Sequence, residues 1–304
     1  MSSITICVPA TTSNLGPGFD CLGLALALWN QASFSIEGDD VRVEIAGFGA
    51  ESLPRNLSNL VLQSFFRLYE RVGEPRPAGL RLHCENRFPT GSGLGSSASA
   101  VLMGLMGANA LLGQPFSGGE ILSLATEIEG HPDNVTPASM GGLTLSAVRD
   151  GGVIARKIDI APVTVVIVVP EFELSTQAAR AALPKQVSMT DAVFNIGRTA
   201  LVVEALREGD FALLEDAMDD RLHQPHRLGL IPGAAEAFES ARQAGAGAVA
   251  LSGAGPGVVA FVEGRDLGQR VAGAMAGAFT SAGVGCWQCV TGVSETGASV
   301  ECTD

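Results

Sequence analysis

Lysine is almost missing from this 304-residue chain: Lys157 and Lys185 are the only two. Its 19 basic residues stand against 32 acidic ones, a formal charge of −13. Such a chain is repelled by duplex nucleic acid, and no Lys/Arg cluster offers the basic face that a nucleic-acid binder presents. Long apolar runs are lacking too. Outside the glycine loops the longest, Ala161 to Pro170, falls far short of the roughly 20 residues of a membrane-spanning helix and reads as a buried strand. Met1 to Cys7 carry neither the basic flank nor the apolar stretch of a secretory signal, so a cytoplasmic location is expected. The 6 cysteines stand at irregular positions, which excludes the dense disulfide framework of small secreted domains. The single C-x-x-C pair, Cys286 and Cys289, lacks the second pair of ligands that a tetrahedral zinc site needs and sits in an alternating, strand-like run.

Glycine, by contrast, is plentiful. The 38 glycines come in clusters rather than at a fixed period, and with 46% hydrophobic and 17% charged residues the chain reads as a compact globule with functional turns. The most informative cluster is Phe88-Pro89-Thr90-Gly91-Ser92-Gly93-Leu94-Gly95-Ser96-Ser97-Ala98-Ser99-Ala100. Glycine at every second position lets backbone approach a ligand closely. The uncharged helix that follows offers free N–H groups and the positive end of its dipole to an anion. Ser96 and Ser97 can cap that helix or bind a phosphate-bound Mg²⁺. Neither the lysine-bearing mononucleotide loop nor the dinucleotide fingerprint fits the spacing.

Two further glycine loops accompany it. In Val8 to Gly23, Asn14 can donate and accept at once and Asp20 offers a carboxylate to an amine or hydroxyl. Equally, both can simply bond the backbone of their own turn. Leu251-Ser252-Gly253-Ala254-Gly255-Pro256-Gly257 lies between two strand-like runs, either as a ligand loop or as a tight hairpin.

Periodicity places strands at Ile4–Val8, Gln31–Ile36 and Val41–Ile45, with antiparallel pairing expected, and a helix at Leu57–Val72 capped by Asn56 or Ser58. A strand at Gly79–Glu85, a helix at Ser117–Glu129 and a hairpin turning at Asp150-Gly151-Gly152 follow. After about Ile158 to Ala161 the pattern changes to a second βα half. It has a strand at Val163–Val169, helices at Asp191–Glu208, Phe211–Arg221, Ile231–Ala244 and Leu267–Ala282, strands at Ala246–Leu251 and Gly257–Glu263, and a final strand at Gly285–Val293. Domains are accordingly expected at 1–159 and 160–304.

The segments P-A-T-x-x-N-L-G-x-G-F-D, P-x-G-x-G-L-G-S-S-A-S and S-G-x-G-P resemble, in order, the three motifs of the GHMP small-molecule kinases. Within that superfamily the stretches Glu129 to Pro137, Leu174 to Arg180 and His226 to Gly233 are similar to the homoserine kinases. The resemblance implies an α+β fold with an N-terminal ribosomal-protein-S5-like domain and a C-terminal ferredoxin-like α/β domain, the cleft between them holding ATP and substrate. It implies ATP-dependent phosphorylation of the side-chain hydroxyl of L-homoserine to O-phospho-L-homoserine in threonine biosynthesis, by a homodimer.

By the same resemblance, Asn59, Pro89, Gly91, Gly93, Leu94, Gly95, Ser96, Ser97, Ser99, Gly253 and Gly255 meet ATP, and Ser97 with Glu129 binds Mg²⁺, an ion that prefers hard oxygen donors. Arg180 and Arg227 suit a carboxylate, which the guanidinium fork matches in two bonds. Asn14, Asp20, His131 and Thr176 are candidates for the amine and the hydroxyl. Asn134, beside Asp133, stands where other members of the superfamily carry a catalytic aspartate; which of the two faces the hydroxyl is open. A mevalonate-type kinase is the nearest rival, but its substrate has no amine.

Overall fold

The computed structural model describes residues 3–303. Strands β1 (Ser3–Ser13) and β2 (Leu22–Ser35) pair antiparallel, and their register shifts between Pro9 and Ala10, where proline withholds a ladder N–H. Before the shift Ile4, Ile6, Val8, Ala32 and Phe34 point into a core beneath helices. Beyond it Ala10, Leu22, Leu24 and Leu26 join a different core, shared with a second sheet. The bulge thus steers one ribbon into two cores. Next come β3 (Val41–Gly47), α1 (Leu60–Val72) and β4 (Leu80–Asn86). β3 does not pair antiparallel with β2 across the Asp39-Asp40 turn as expected; β4 lies between them, and β3 runs parallel to β4 because α1 carries the chain back to the starting end of the sheet.

Helices α2 (Ser96–Leu111), α3 (Gly118–Glu129) and α4 (Val135–Met140) follow, then β5 (Leu143–Arg149) and β6 (Gly152–Ile158). Ser117 and Glu120 close a capping box on α3, as the start at Ser117 anticipated. The β5–β6 hairpin turns at Asp150-Gly151, with Arg149 opposite Gly152, and β5 pairs with β2. α2 shows hardly any polar face: Ala98, Val101, Leu102, Leu105 and Ala108 are buried, which fixes the helix and the loop before it.

The second half of the chain forms β7 (Thr164–Pro170), α5 (Thr176–Ala181), α6 (Met189–Glu208), α7 (Phe211–Ala217), α8 (Gln224–Leu228), α9 (Ala234–Gln243), β8 (Ala248–Leu251), β9 (Val258–Val262), α10 (Arg265–Ser281) and β10 (Cys286–Thr291), and these four strands make the second sheet. Its antiparallel order β10-β7-β9-β8, with helices before β8 and β10, is the ferredoxin-like arrangement. The unbroken apolar run of β7 is explained by burial on both faces. Val165, Ile167 and Val169 meet the shared core, while Val166 and Val168 meet the core that includes residues of α9 and α10.

Three short helices, α4, α5 and α8, had no periodic signal to announce them. α7 ends at Ala217 rather than Arg221 because the Asp220 carboxylate captures the N–H groups of Leu222, His223 and Gln224. The end of the chain departs furthest from expectation: β11 (Ser299–Thr303) pairs with the open edge of β1. Residues 299–303 therefore belong to the first sheet, not to a unit spanning 160–304, and they cover an edge that would otherwise stand unpaired. No helix among the described residues is long and apolar enough to cross a membrane.

Candidate active site

The three glycine loops meet at one end of the shared core. A Cβ on Gly95 would lie 2.0 Å from Thr11 Oγ1, and one on Gly93 would lie 2.1 Å from the Ser252 carbonyl oxygen, both at positive φ. These two glycines serve loop-to-loop contact, while Gly91, with nothing within 4 Å of its Cβ position, leaves backbone open to a ligand. Ser252 Oγ donates to the Gly93 carbonyl at 2.7 Å, and Gly253 N–H donates to the Ser13 carbonyl at 3.1 Å. α2 starts here with no side-chain cap and no acidic residue in its first turn. Its unpaired N–H groups and positive dipole end are therefore available to an anion.

Asn14 ties the first loop to the third: its Oδ1 accepts Asp20 N–H at 3.0 Å and its Nδ2 donates to the Gly253 carbonyl at 2.7 Å. Asp20 forms a two-bonded ion pair with Arg180, at 2.7 and 3.0 Å. That pairing holds the Arg180 pKa above its ordinary value. Arg227 is 1% exposed. Its Nε donates to the Ala179 carbonyl at 3.4 Å and its Nη1 to the Gly253 carbonyl at 3.3 Å and to His223 Nδ1 at 3.1 Å. Burial draws its pKa down, yet a guanidinium stays charged. Both arginines sit over the Phe19 ring, at 5.5 and 5.3 Å.

On the opposite wall Ser97 Oγ donates to Glu129 Oε1 at 2.6 Å. Burial raises the Glu129 pKa, against the pull of Ser97 and His131. His131 Nδ1 lies 2.7 Å from Asp133 Oδ1, and this bond lifts its pKa above 6.5. Asn134 is committed at both ends of its amide: Oδ1 accepts from Thr11 Oγ1 and Nδ2 donates to Ser13 Oγ, each at 2.9 Å.

One cleft gathers Asn14, Asp20, Gly91, Gly93, Gly95, Ser96, Ser97, Glu129, His131, Asn134, Thr176, Arg180, Arg227, Gly253 and Gly255. Four expected residues lie elsewhere. Leu94 is fully buried, and its carbonyl accepts Thr11 N–H. Ser99, about 200° around α2 from Ser97, faces the interior with an unpartnered hydroxyl. Pro89 lines a neighbouring cavity with Phe48, Phe172 and Trp287. Asn59, rather than Asn56 or Ser58, caps α1 through its bond from Val61 N–H. It lines an apolar slot, shared with Leu53, Pro54 and Met103, that reaches Ser96 and Ser97. Ser13, Leu174, Ser175 and Ala254 line the cleft unannounced by sequence. Phe19 and Asp20 share a motif, but only the fold puts the ring beneath two guanidinium groups.

The sequence matches the family description "GHMP kinases N terminal domain" over residues 59–142 and "GHMP kinases C terminal" over residues 202–281. It is 47% identical to a homoserine kinase of Moorella thermoacetica over 281 residues, 92% of this chain and 93% of that one. It is 42% identical to a homoserine kinase of a Synechococcus species over 301 residues, 98% of each chain. Among solved structures, homoserine kinase from Cytophaga hutchinsonii superposes with a TM-score of 0.88 at 30% identity, over 98% of this chain and 97% of the other.

Proposed function

The chain belongs to the homoserine kinases of the GHMP kinase family, and from that premise we propose that it transfers the terminal phosphoryl group of ATP to the side-chain hydroxyl of L-homoserine. The observation that carries the substrate is the pair Arg180 and Arg227 converging over Phe19 beside the Asp20 carboxylate, in a cleft that also contains the uncapped start of α2. A zwitterion fits this arrangement. Its carboxylate lies on the two guanidinium groups and its ammonium on Asp20, sharing out charges that otherwise pair with each other.

Phosphoryl transfer draws mainly on positioning and charge neutralisation. The α2 N-terminus and the open backbone at Gly91 receive phosphate oxygens, and the slot beside Asn59 receives the adenine. Asn134, fixed by Thr11 and Ser13, and His131, fixed by Asp133, hold the hydroxyl. Ser97 Oγ and Glu129 Oε1, already converging, supply two hard oxygens, which suits Mg²⁺ because that ion keeps water and phosphate oxygens as its other ligands. The ion would neutralise charge on the phosphates when bound. We also place the protein in the cytoplasm and assign it a homodimer, which light scattering tests.

A coupled assay of ADP release with ATP and L-homoserine tests the reaction. Release that requires homoserine and ceases on magnesium chelation is expected. Absence of release with homoserine, or release with mevalonate in its place, overturns it.

A further inference from the structure

His223 contributes no atom to the cleft lining, yet its ring is wholly buried and bonded at both nitrogens. Nδ1 lies 3.1 Å from Arg227 Nη1, and Nε2 lies 2.7 Å from the Gly16 carbonyl. A guanidinium can only donate, so Nδ1 must accept, and the ring's single proton sits on Nε2, pointing at Gly16. The His223 ring stacks on Phe19, 5.1 Å between centroids and 25° between planes. One imidazole therefore grips the first loop, the Phe19 ring and the buried arginine together.

The ring is itself fixed. His223 N–H donates to Asp220 Oδ2 at 2.9 Å, and Asp220 is held in turn by Asn195 Nδ2 at 2.7 Å. Asn195 Nδ2 and Thr199 Oγ1 also reach the Pro17 carbonyl, at 3.2 and 3.0 Å. The loop that carries Phe19 and Asp20 is thus braced at Gly16 and at Pro17. Of the Arg227 nitrogens, Nε and Nη1 are taken by Ala179, Gly253 and His223. Arg227 lines the cleft, and Nη2, which has no partner among the described residues, is the nitrogen left to face it.

We propose that His223, as the neutral Nε2–H tautomer, is a positioning residue that turns the Arg227 guanidinium so that Nη2 meets the substrate carboxylate. This rests on the homoserine kinase reading above. Without an acceptor at Nδ1, the charged Nη1 is released towards the carboxylates of Asp20 and Asp220, and the fork rotates away from the substrate. Burial also draws the His223 pKa down, which keeps the ring uncharged beside the guanidinium.

Two near-isosteric variants separate the ring's bonds. His223→Asn keeps an acceptor where Nδ1 stands; His223→Gln keeps a donor where Nε2 stands but loses that acceptor. The homoserine KM should stay within about 3-fold in H223N and rise by about 10-fold or more in H223Q, with kcat and the ATP KM near wild type in both. For 3-aminopropan-1-ol, which is homoserine without its carboxylate, kcat/KM should be unchanged by either variant. Equal homoserine KM values in the two variants, or a parallel loss with 3-aminopropan-1-ol and ATP, would make His223 merely structural and overturn the proposal. Long-range ¹H–¹⁵N spectra of the wild-type protein at neutral pH give a test independent of how the variants fold. An Nε2–H ring supports the proposal, and an Nδ1–H or doubly protonated ring rejects it. A wild-type chain inactive on homoserine would reject the functional reading itself, whereas an active one with an unaffected H223Q rejects only this inference.

Discussion

Arg180 and Asp20 meet each other in the cleft, although their residue types suit different groups of a substrate, the carboxylate for Arg180 and the amine or hydroxyl for Asp20. Their side chains are more than a third exposed, so the pair adds little to stability and its value lies in exchange with a zwitterion. Arg180→Ala is therefore expected to raise the homoserine KM by about 10-fold or more, with the ATP KM nearly unchanged, in steady-state kinetics. A second expectation concerns His131, whose pKa the Asp133 bond raises. Its folded form binds a proton more tightly than the unfolded chain. This contribution is complete below about pH 6.5, the ordinary value, and fades as pH rises through the raised one. Asp133→Asn should thus cost most stability in mild acid and progressively less in base, as read from urea unfolding across that range. Residue types and spacing alone made both groups candidates; that each has a protein partner depends on side chains 160 and 2 positions apart meeting in the fold.

Among elements, the loop-to-helix junctions carry the function and have distinct tolerances. Asn59→Ala removes the cap of α1 and its second bond to the Pro54 carbonyl. A loss of about 1 kcal/mol, seen as a lowered thermal midpoint, is expected. Gly95→Ala is harsher, because the left-handed backbone alone costs roughly 1 kcal/mol and the new methyl group collides with Thr11. It should lower stability by more than about 2 kcal/mol and weaken ATP binding, measured by calorimetric titration. Helices with strong amphipathic or capped sequences, α1 and α3 among them, were legible from periodicity. The short α4, α5 and α8 were not, since five or six residues make no period and their positions depend on longer-range bonds such as the one Asn195 Nδ2 donates to Asp220 just before α8.

At the scale of the whole molecule, Leu24 and Leu26 of the first sheet share one buried cluster with Val165 and Ile167 of the second. Such a core couples the two halves, so denaturant unfolding is expected to follow a single transition by both circular dichroism and tryptophan emission; two separated transitions would show independent halves. The C-terminal segment strengthens that coupling. Ser294 N–H donates to the Ala25 carbonyl, Ala298 N–H to the Ala138 carbonyl, and β11 covers the edge of β1. Deleting residues 293–304 should leave that edge bare and produce an aggregating protein, visible in size-exclusion chromatography.

By itself the sequence determined what depends on neighbours along the chain: strand and helix periodicity, turn glycines, helix caps, the acidic balance, and motifs dense enough to point to a phosphoryl-transfer family. Only the tertiary structure decided which glycines serve packing and which stay open to a ligand, that Ser99 and Leu94 face inward, that β3 joins β4 in parallel, and that the last strand returns to the first. It also brought His223 against Gly16 across 207 positions. The physical reason is common to all of these. Backbone conformation is set largely within a few residues, whereas the partner of a buried donor or a hydrophobic face is chosen by whichever distant segment can satisfy it when water is excluded.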